Sequence, residues 1–180
     1  MTCSTYPFTP ERHGVGTLAD GRPLTLEPMT PETAAVLAPQ IALFGPWAHY
    51  EFPVGMLHAG FLPAIDGAIR YQLLAGGVAA GAVIIRSPWL AGPYLQMLAV
   101  MPALQGRGAG GHVLDWFEAT AAGAKMRNVW LCVSGYNAHA QRLYKRQGYD
   151  MAGLLTGLMR DSDDEHLMRK NLAGRLRAES

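Results

Sequence analysis

At 180 residues the chain suits one domain with a sizeable hydrophobic core, and one active site is expected from it. Apolar residues make up 49% of the sequence and charged residues 16%, which excludes a disordered or heavily solvated chain. A formal net charge of +1 gives no broad basic surface of the kind that drives binding to phosphate backbones, so no nucleic-acid partner is expected.

Residues 1–20 mix Pro, Gly, Ser and Thr without periodicity and read as an N-terminal arm, with residues 21–180 forming the domain. The opening MTCSTYPFTPERHG lacks the apolar stretch of a secretory signal, and no run of about 18 apolar residues occurs, so a cytoplasmic protein without membrane contact is expected. A first strand is expected at 22–29. Thr30 then offers an N-cap hydroxyl, Pro31 suits the first helical position, and Val36, Leu37 and Ile41 recur at helical spacing. Residues 44–63 carry aromatics, three prolines and two histidines, and suggest a loop and a second short helix that could act as a substrate lid.

Residues 71–75 and 78–86, joined by Gly76-Gly77, read as a hairpin. After a turn at 88–93, a strand at 94–100 is stopped by Pro102. Residues 108–122 place Val113, Leu114, Phe117 and Ala121 on one helical face. A compact strand at 129–133 and an amphipathic helix at 137–147 follow, the helix closed by Gly148. Strands at 154–160 and 166–172 flank an acidic turn at 161–165. This order predicts an α/β or α+β domain around a single mixed, mostly antiparallel, twisted sheet of about six to seven strands with helices on both faces.

One segment carries chemistry. In 94–117 a strand leads through a short connection into Gln105, Gly106, Arg107, Gly108, Ala109 and Gly110, and then into a helix. Glycines let the backbone turn tightly and approach an anion, while the first amides of the helix and its dipole point at that anion; Arg107 can add a charge-assisted contact. A glycine-rich turn with no ligand remains the alternative. Gly106, Gly108 and Gly111 also fit a dinucleotide fingerprint, but five residues separate them from the strand, and the next strand ends in Val133-Ser134-Gly135 without a ribose-binding carboxylate. No Gly-Lys-Ser or Gly-Lys-Thr of a kinase-type loop follows.

Gln105, Gly108 and Gly110 resemble the acyl-CoA pyrophosphate loop of the GNAT superfamily, whose pattern is Gln or Arg, two residues, Gly, one residue, then Gly or Ala. Downstream, Asn137, Ala140, Leu143, Tyr144, Gly148 and Tyr149 are similar to the second signature of that superfamily. The resemblance implies the acyl-CoA N-acyltransferase fold and an N-acetyltransferase that moves an acetyl or other short acyl group from acetyl-CoA, as co-substrate, to a primary amine. It implies that the backbone of 97–100, with Leu98, Ala99 and Val100, pairs with the pantetheine arm, and that Gly106 to Gly110 cradle the pyrophosphate. Asn137 would contact the donor, although its position equally suits an ordinary N-cap. Tyr144 would protonate the departing thiolate, or else is a core aromatic.

The superfamily often carries a glutamate on the strand before the loop; here the region reads Leu95-Gln96-Met97, and Gln96 cannot act as a base. His49, Glu51 and His58 are candidates for the proton route. Trp47, Tyr50 and Glu51 are candidates for the acceptor site, with Phe44 and Phe52 expected to pack. The acceptor would be a small-molecule or peptide amine, and a homodimer is left open. Cys3 and Cys132 lie far apart and make no disulfide or metal framework, and the six histidines lack metal-ligand spacing, so no metal is expected. A non-catalytic acyl-CoA-binding or sensing module is the competing reading.

Overall fold

The computed structural model describes residues 7–64 and 67–173. Cys3, the first six residues of the expected arm and residues 174–180 lie outside the described residues. In chain order the strands are β1 (His13–Thr17), β2 (Pro23–Pro28), β3 (Ala68–Ala75), β4 (Val78–Trp89), β5 (Gly92–Val100), β6 (Asn128–Ser134), β7 (Asp150–Arg160) and β8 (Asp163–Asn171). The helices are α1 (Pro31–Ile41), α2 (Gly45–His49), α3 (Val54–Phe61), α4 (Ala109–Gly123) and α5 (Ala138–Arg146), with one 3₁₀ turn at Pro102–Leu104. All eight strands join one sheet in the order β1-β2-β3-β4-β5-β6-β8-β7, antiparallel except for the β5–β6 pair.

Strand periodicity explains the two layers of helices. Val83 and Ile85 of β4 face one side of the sheet, where they pack with Leu24, Leu26, Val113, Leu114 and Phe117 under α4. The alternate residues Ala82 and Ile84 face the other side and pack with Leu37, Ile41, Leu57 and Phe61 of α1 and α3. Burying each such Leu, Ile or Phe side chain contributes about 1.5–3 kcal/mol. Among the described residues no helix is long and apolar enough to cross a membrane.

The sheet has eight strands where about six to seven were expected, and the extra one is β1, inside the stretch read as an arm. Its sequence His-Gly-Val-Gly-Thr hides it: only Val15 turns into the core, and a bulge lies between Gly14 and Gly16. Phe8 anchors the segment ahead of it by stacking on Phe117 at 5.4 Å. Residues 44–63 form two helices, α2 and α3, rather than a loop and one helix. The expected turn at 88–93 contracts to Leu90-Ala91, both at positive φ. Neighbouring aromatics hold this turn: Trp89 stacks on Tyr94 at 4.7 Å, and Trp130 Nε1 donates to the Leu90 carbonyl at 3.0 Å. Likewise β7 and β8 reach Arg160 and Asp163, so Asp163 to Glu165 of the expected acidic turn belong to a strand.

One irregularity positions the site. The parallel β5–β6 ladder consists only of Tyr94↔Trp130 and Leu95↔Leu131. On the opposite edge Ile84 pairs with Met97 and Ile85 with Leu95, which leaves Gln96 as the extra residue of a bulge. Beyond it β5 and β6 diverge, and a cleft opens between them.

Candidate active site

The cleft has a volume of about 430 Å³ and is lined on one side by β5, the loop after it and α5. Backbone geometry dominates this half. Met101 N–H donates to Ala80 and the Ala99 carbonyl lies against Gly81, both on β4. By strand alternation the amides of Leu98 and Val100 therefore face the opening, where no strand pairs with β5 beyond Leu95. Gln105 Nε2 donates to the Val100 carbonyl at 2.9 Å and ties the loop to the end of the strand.

The loop then turns through Gly106 at φ +73° and Gly108 at φ +90°, conformations that a side chain would strain. Gly108 is the N-cap of α4; no side chain caps the helix, and its first turn carries no acidic residue. The amides of Gly108, Ala109, Gly110 and Gly111 have no acceptor among the described residues. A helix start with open amides and no competing carboxylate is fitted to hold an anion. Gly110 also sets how closely α4 approaches α5, since a Cβ there would stand 3.2 Å from Leu143 Cδ2.

Helix α5 brings two further groups to this half. Asn137 Oδ1 caps the helix by accepting from the Ala140 amide at 3.1 Å, and the same side chain lines the cleft. Gln141 Nε2 donates to the carbonyls of Ser134 and Gly135 and fixes the turn between β6 and α5. Tyr144 lines the cleft at 8% exposure, and its hydroxyl has no hydrogen-bond partner among the described residues. Burial, and to a lesser degree Cys132, pushes its phenol up to about 12.

Side chains build the other half. Phe44, Trp47, Tyr50 and Phe52 form an aromatic wall, faced by Leu158 and Met159 of β7 and by Cys132 and Glu165. The Tyr50 hydroxyl donates to Glu165 Oε1 at 2.6 Å, and the Cys132 thiol points at Glu165 Oε2 at 3.8 Å. Burial first, then the contact with Glu165, pushes both Tyr50 and Cys132 up to about 12. At the rim His49 packs on Tyr136 at 4.0 Å and meets Asp163 at 3.1 Å.

Most of the residues singled out from sequence meet here: Leu98, Val100, Gln105, Gly106, Gly110, Asn137, Tyr144, Trp47 and Tyr50 all line the cleft. Gly108 and Ala109 do not line the cleft, and the Ala109 methyl group is buried in the core under α4. Ala99 turns its side chain into the α1–α3 core. Arg107 lies outside the cleft, its guanidinium 3.9 Å from Asp20. Glu51 also turns outward and pairs with Arg160 at 3.1 Å, and His58 does not line the cleft. Sequence reading passed over Cys132, Tyr94, Leu158, Met159 and above all Glu165, whose signal was a carboxylate inside a segment taken for a turn.

The family model described as "Acetyltransferase (GNAT) family" matches residues 38–149. No curated protein matches by sequence. Among solved structures, an acetyltransferase from Thermus thermophilus is similar at 20% identity over 89% of this chain and 100% of its own, with a TM-score of 0.64. The ribosomal-protein-S18-alanine N-acetyltransferase from Escherichia coli gives 19% identity over 82% of this chain and 93% of its own, at a TM-score of 0.64. The IAA acetyltransferase from Bacillus cereus ATCC 14579 gives 17% identity over 83% and 99%, at 0.61. These likenesses establish the fold, and the family model runs from the last turn of α1 to the end of α5 and Tyr149. The chain belongs to the GNAT acetyltransferase family.

Proposed function

We propose that this chain transfers an acetyl or other short acyl group from acyl-CoA to a primary amine on a small molecule or peptide, by direct attack of the amine on the thioester. The observation that carries this reading is the meeting, in one cleft, of open strand amides, the uncapped start of α4 and an unbonded tyrosine hydroxyl. The free amides from Gly108 to Gly111 suit a diphosphate, and the outward amides of Leu98 and Val100 suit the pantetheine arm and the thioester carbonyl.

In this mechanism an amide of β5 faces the oxygen that becomes negative in the tetrahedral intermediate, and such fixed donors supply a large share of the acceleration. The remainder comes from holding two substrates in register within the cleft. When the C–S bond breaks, the sulfur needs a proton. A phenol raised to about 12 keeps its proton at neutral pH, which supports Tyr144 as the proton donor in this reading.

The test is to incubate the protein with acetyl-CoA and a panel of primary amines while following free thiol. Amine-dependent thiol release is the expected result. Tight binding of coenzyme A without turnover of any amine would favour a sensing module, a reading that Gln96 at the strand position often held by glutamate also supports.

A further inference from the structure

The cleft contains a carboxyl group that the proposed acyl transfer leaves unused. Glu165, on β8, is 6% exposed and lines the acceptor half. Its Oε1 is occupied by the Tyr50 hydroxyl at 2.6 Å, while Oε2 has only the long contact with the Cys132 thiol. Among the described residues no Arg, Lys or His lies within ion-pair distance of it; the nearby basic side chains His49 and Arg160 are engaged elsewhere, with Asp163 and Glu51. A buried carboxylate without a cation is costly unless a partner arrives to compensate it. The open side of this carboxylate faces the cleft beside the aromatic wall of Phe44, Trp47, Tyr50 and Phe52.

We propose that Glu165 is the acceptor-binding and proton-accepting residue, and that the acceptor is a primary ammonium carried on an aromatic or apolar body. This deepens the acyltransferase reading and rests on it. The charge of the ammonium meets Oε2, and the body of the acceptor lies against the aromatic wall, whose π faces also favour a cation. Cys132 stands between the two ends of the reaction, touching Glu165 and close enough to Tyr144 to raise its phenol. Its thiol, pushed up to about 12, stays protonated and is a poor nucleophile.

The protons balance as follows. Glu165 takes one proton from the ammonium. The freed lone pair forms the C–N bond while the carbonyl π pair moves to oxygen. On collapse the C–S bond breaks, the sulfur takes the Tyr144 proton, and Tyr144 recovers one from the new amide nitrogen. The third proton stays on the amide, and Glu165 releases its own to solvent as the product leaves.

Three proteins, wild type, Glu165→Gln and Glu165→Asp, distinguish the outcomes, each assayed with acetyl-CoA against phenethylamine, a cation at neutral pH, and aniline, which is neutral there. Calorimetry with acetyl-CoA runs beside each assay. The expected result is that Glu165→Gln lowers kcat/KM for phenethylamine by about 10²-fold or more and for aniline by less than about tenfold, with acetyl-CoA affinity within about threefold, while Glu165→Asp recovers at least about a tenth of the lost rate. Phenethylamine turnover by Glu165→Gln within about threefold of wild type overturns the proposal, and so does an equal loss for both amines, which marks a structural role. Wild type that binds acetyl-CoA but acetylates neither amine overturns the acceptor assignment alone. Wild type that binds no acetyl-CoA overturns the proposed function and this inference with it.

Discussion

The two halves of the cleft are made of different material. Toward α4 main chain dominates, with the outward edge of β5, Gly106 at positive φ and the start of α4 at Gly110, joined by the Asn137 and Tyr144 side chains. Toward β8 they are side chains drawn from α2, β6, β7 and β8. Main-chain amides recognise what every acyl-CoA shares, a diphosphate and a peptide-like arm. Under the proposed function, side chains recognise what varies, which assigns acceptor choice to Trp47, Tyr50, Cys132 and Glu165 and donor binding to backbone shape.

Substitutions at the junction and in either half should therefore separate in kinetics. The largest effect is expected at the junction, where Tyr144→Phe should lower kcat by about 10² to 10⁴ with acetyl-CoA affinity nearly unchanged; steady-state rates and calorimetry check both parts. A turnover number within a few-fold of wild type would return Tyr144 to the core. In the donor half, Gly110→Val should raise the KM for acetyl-CoA by about 10- to 10²-fold, because even a methyl group there already crowds Leu143 at 3.2 Å. Its effect on the KM of the amine should be small.

The acceptor half should respond in the opposite way. Trp47→Ala should raise the amine KM by about tenfold, in line with 1–3 kcal/mol for lost apolar contact, and leave acetyl-CoA titrations unaltered. A shift in both constants would mean that the two halves are not independent. The smallest expected effect concerns pH. A phenol raised to about 12 keeps its proton as pH climbs past the ordinary value of 10, so at about pH 10 only about one Tyr144 in a hundred is ionised. Saturated kcat should then show no alkaline loss from Tyr144 between about pH 8 and 10.

The same division decides what could be read from the sequence. The donor half is contiguous: Gln105, Gly106, Gly108 and Gly110 lie within six residues, and their spacing states the backbone shape directly. The sheet core was legible for a similar reason, since Val83, Ile84 and Ile85 already form an apolar run and Val113, Leu114 and Phe117 already mark a helical face. Strand β1 was not legible, because Gly14 and Gly16 carry no side chains to show a period, and pairing with β2 is what makes it a strand. Glu165 was hidden because its partner Tyr50 lies 115 residues away and only the β8 register turns it inward. Glu51 misled in the other direction: it adjoins Tyr50 in sequence, yet its φ of 52° and its pairing with Arg160 carry it out of the cleft.

The central claim is that the amides at the start of α4 hold the diphosphate of coenzyme A. Amide-resolved NMR during a titration with coenzyme A, set against one with pantetheine, tests it most directly. The account predicts that the Gly108, Ala109, Gly110 and Gly111 resonances move with coenzyme A and stay in place with pantetheine, while Leu98 and Val100 respond to both. Binding of coenzyme A that left the four α4 amides unmoved, or no binding at millimolar ligand, would contradict it.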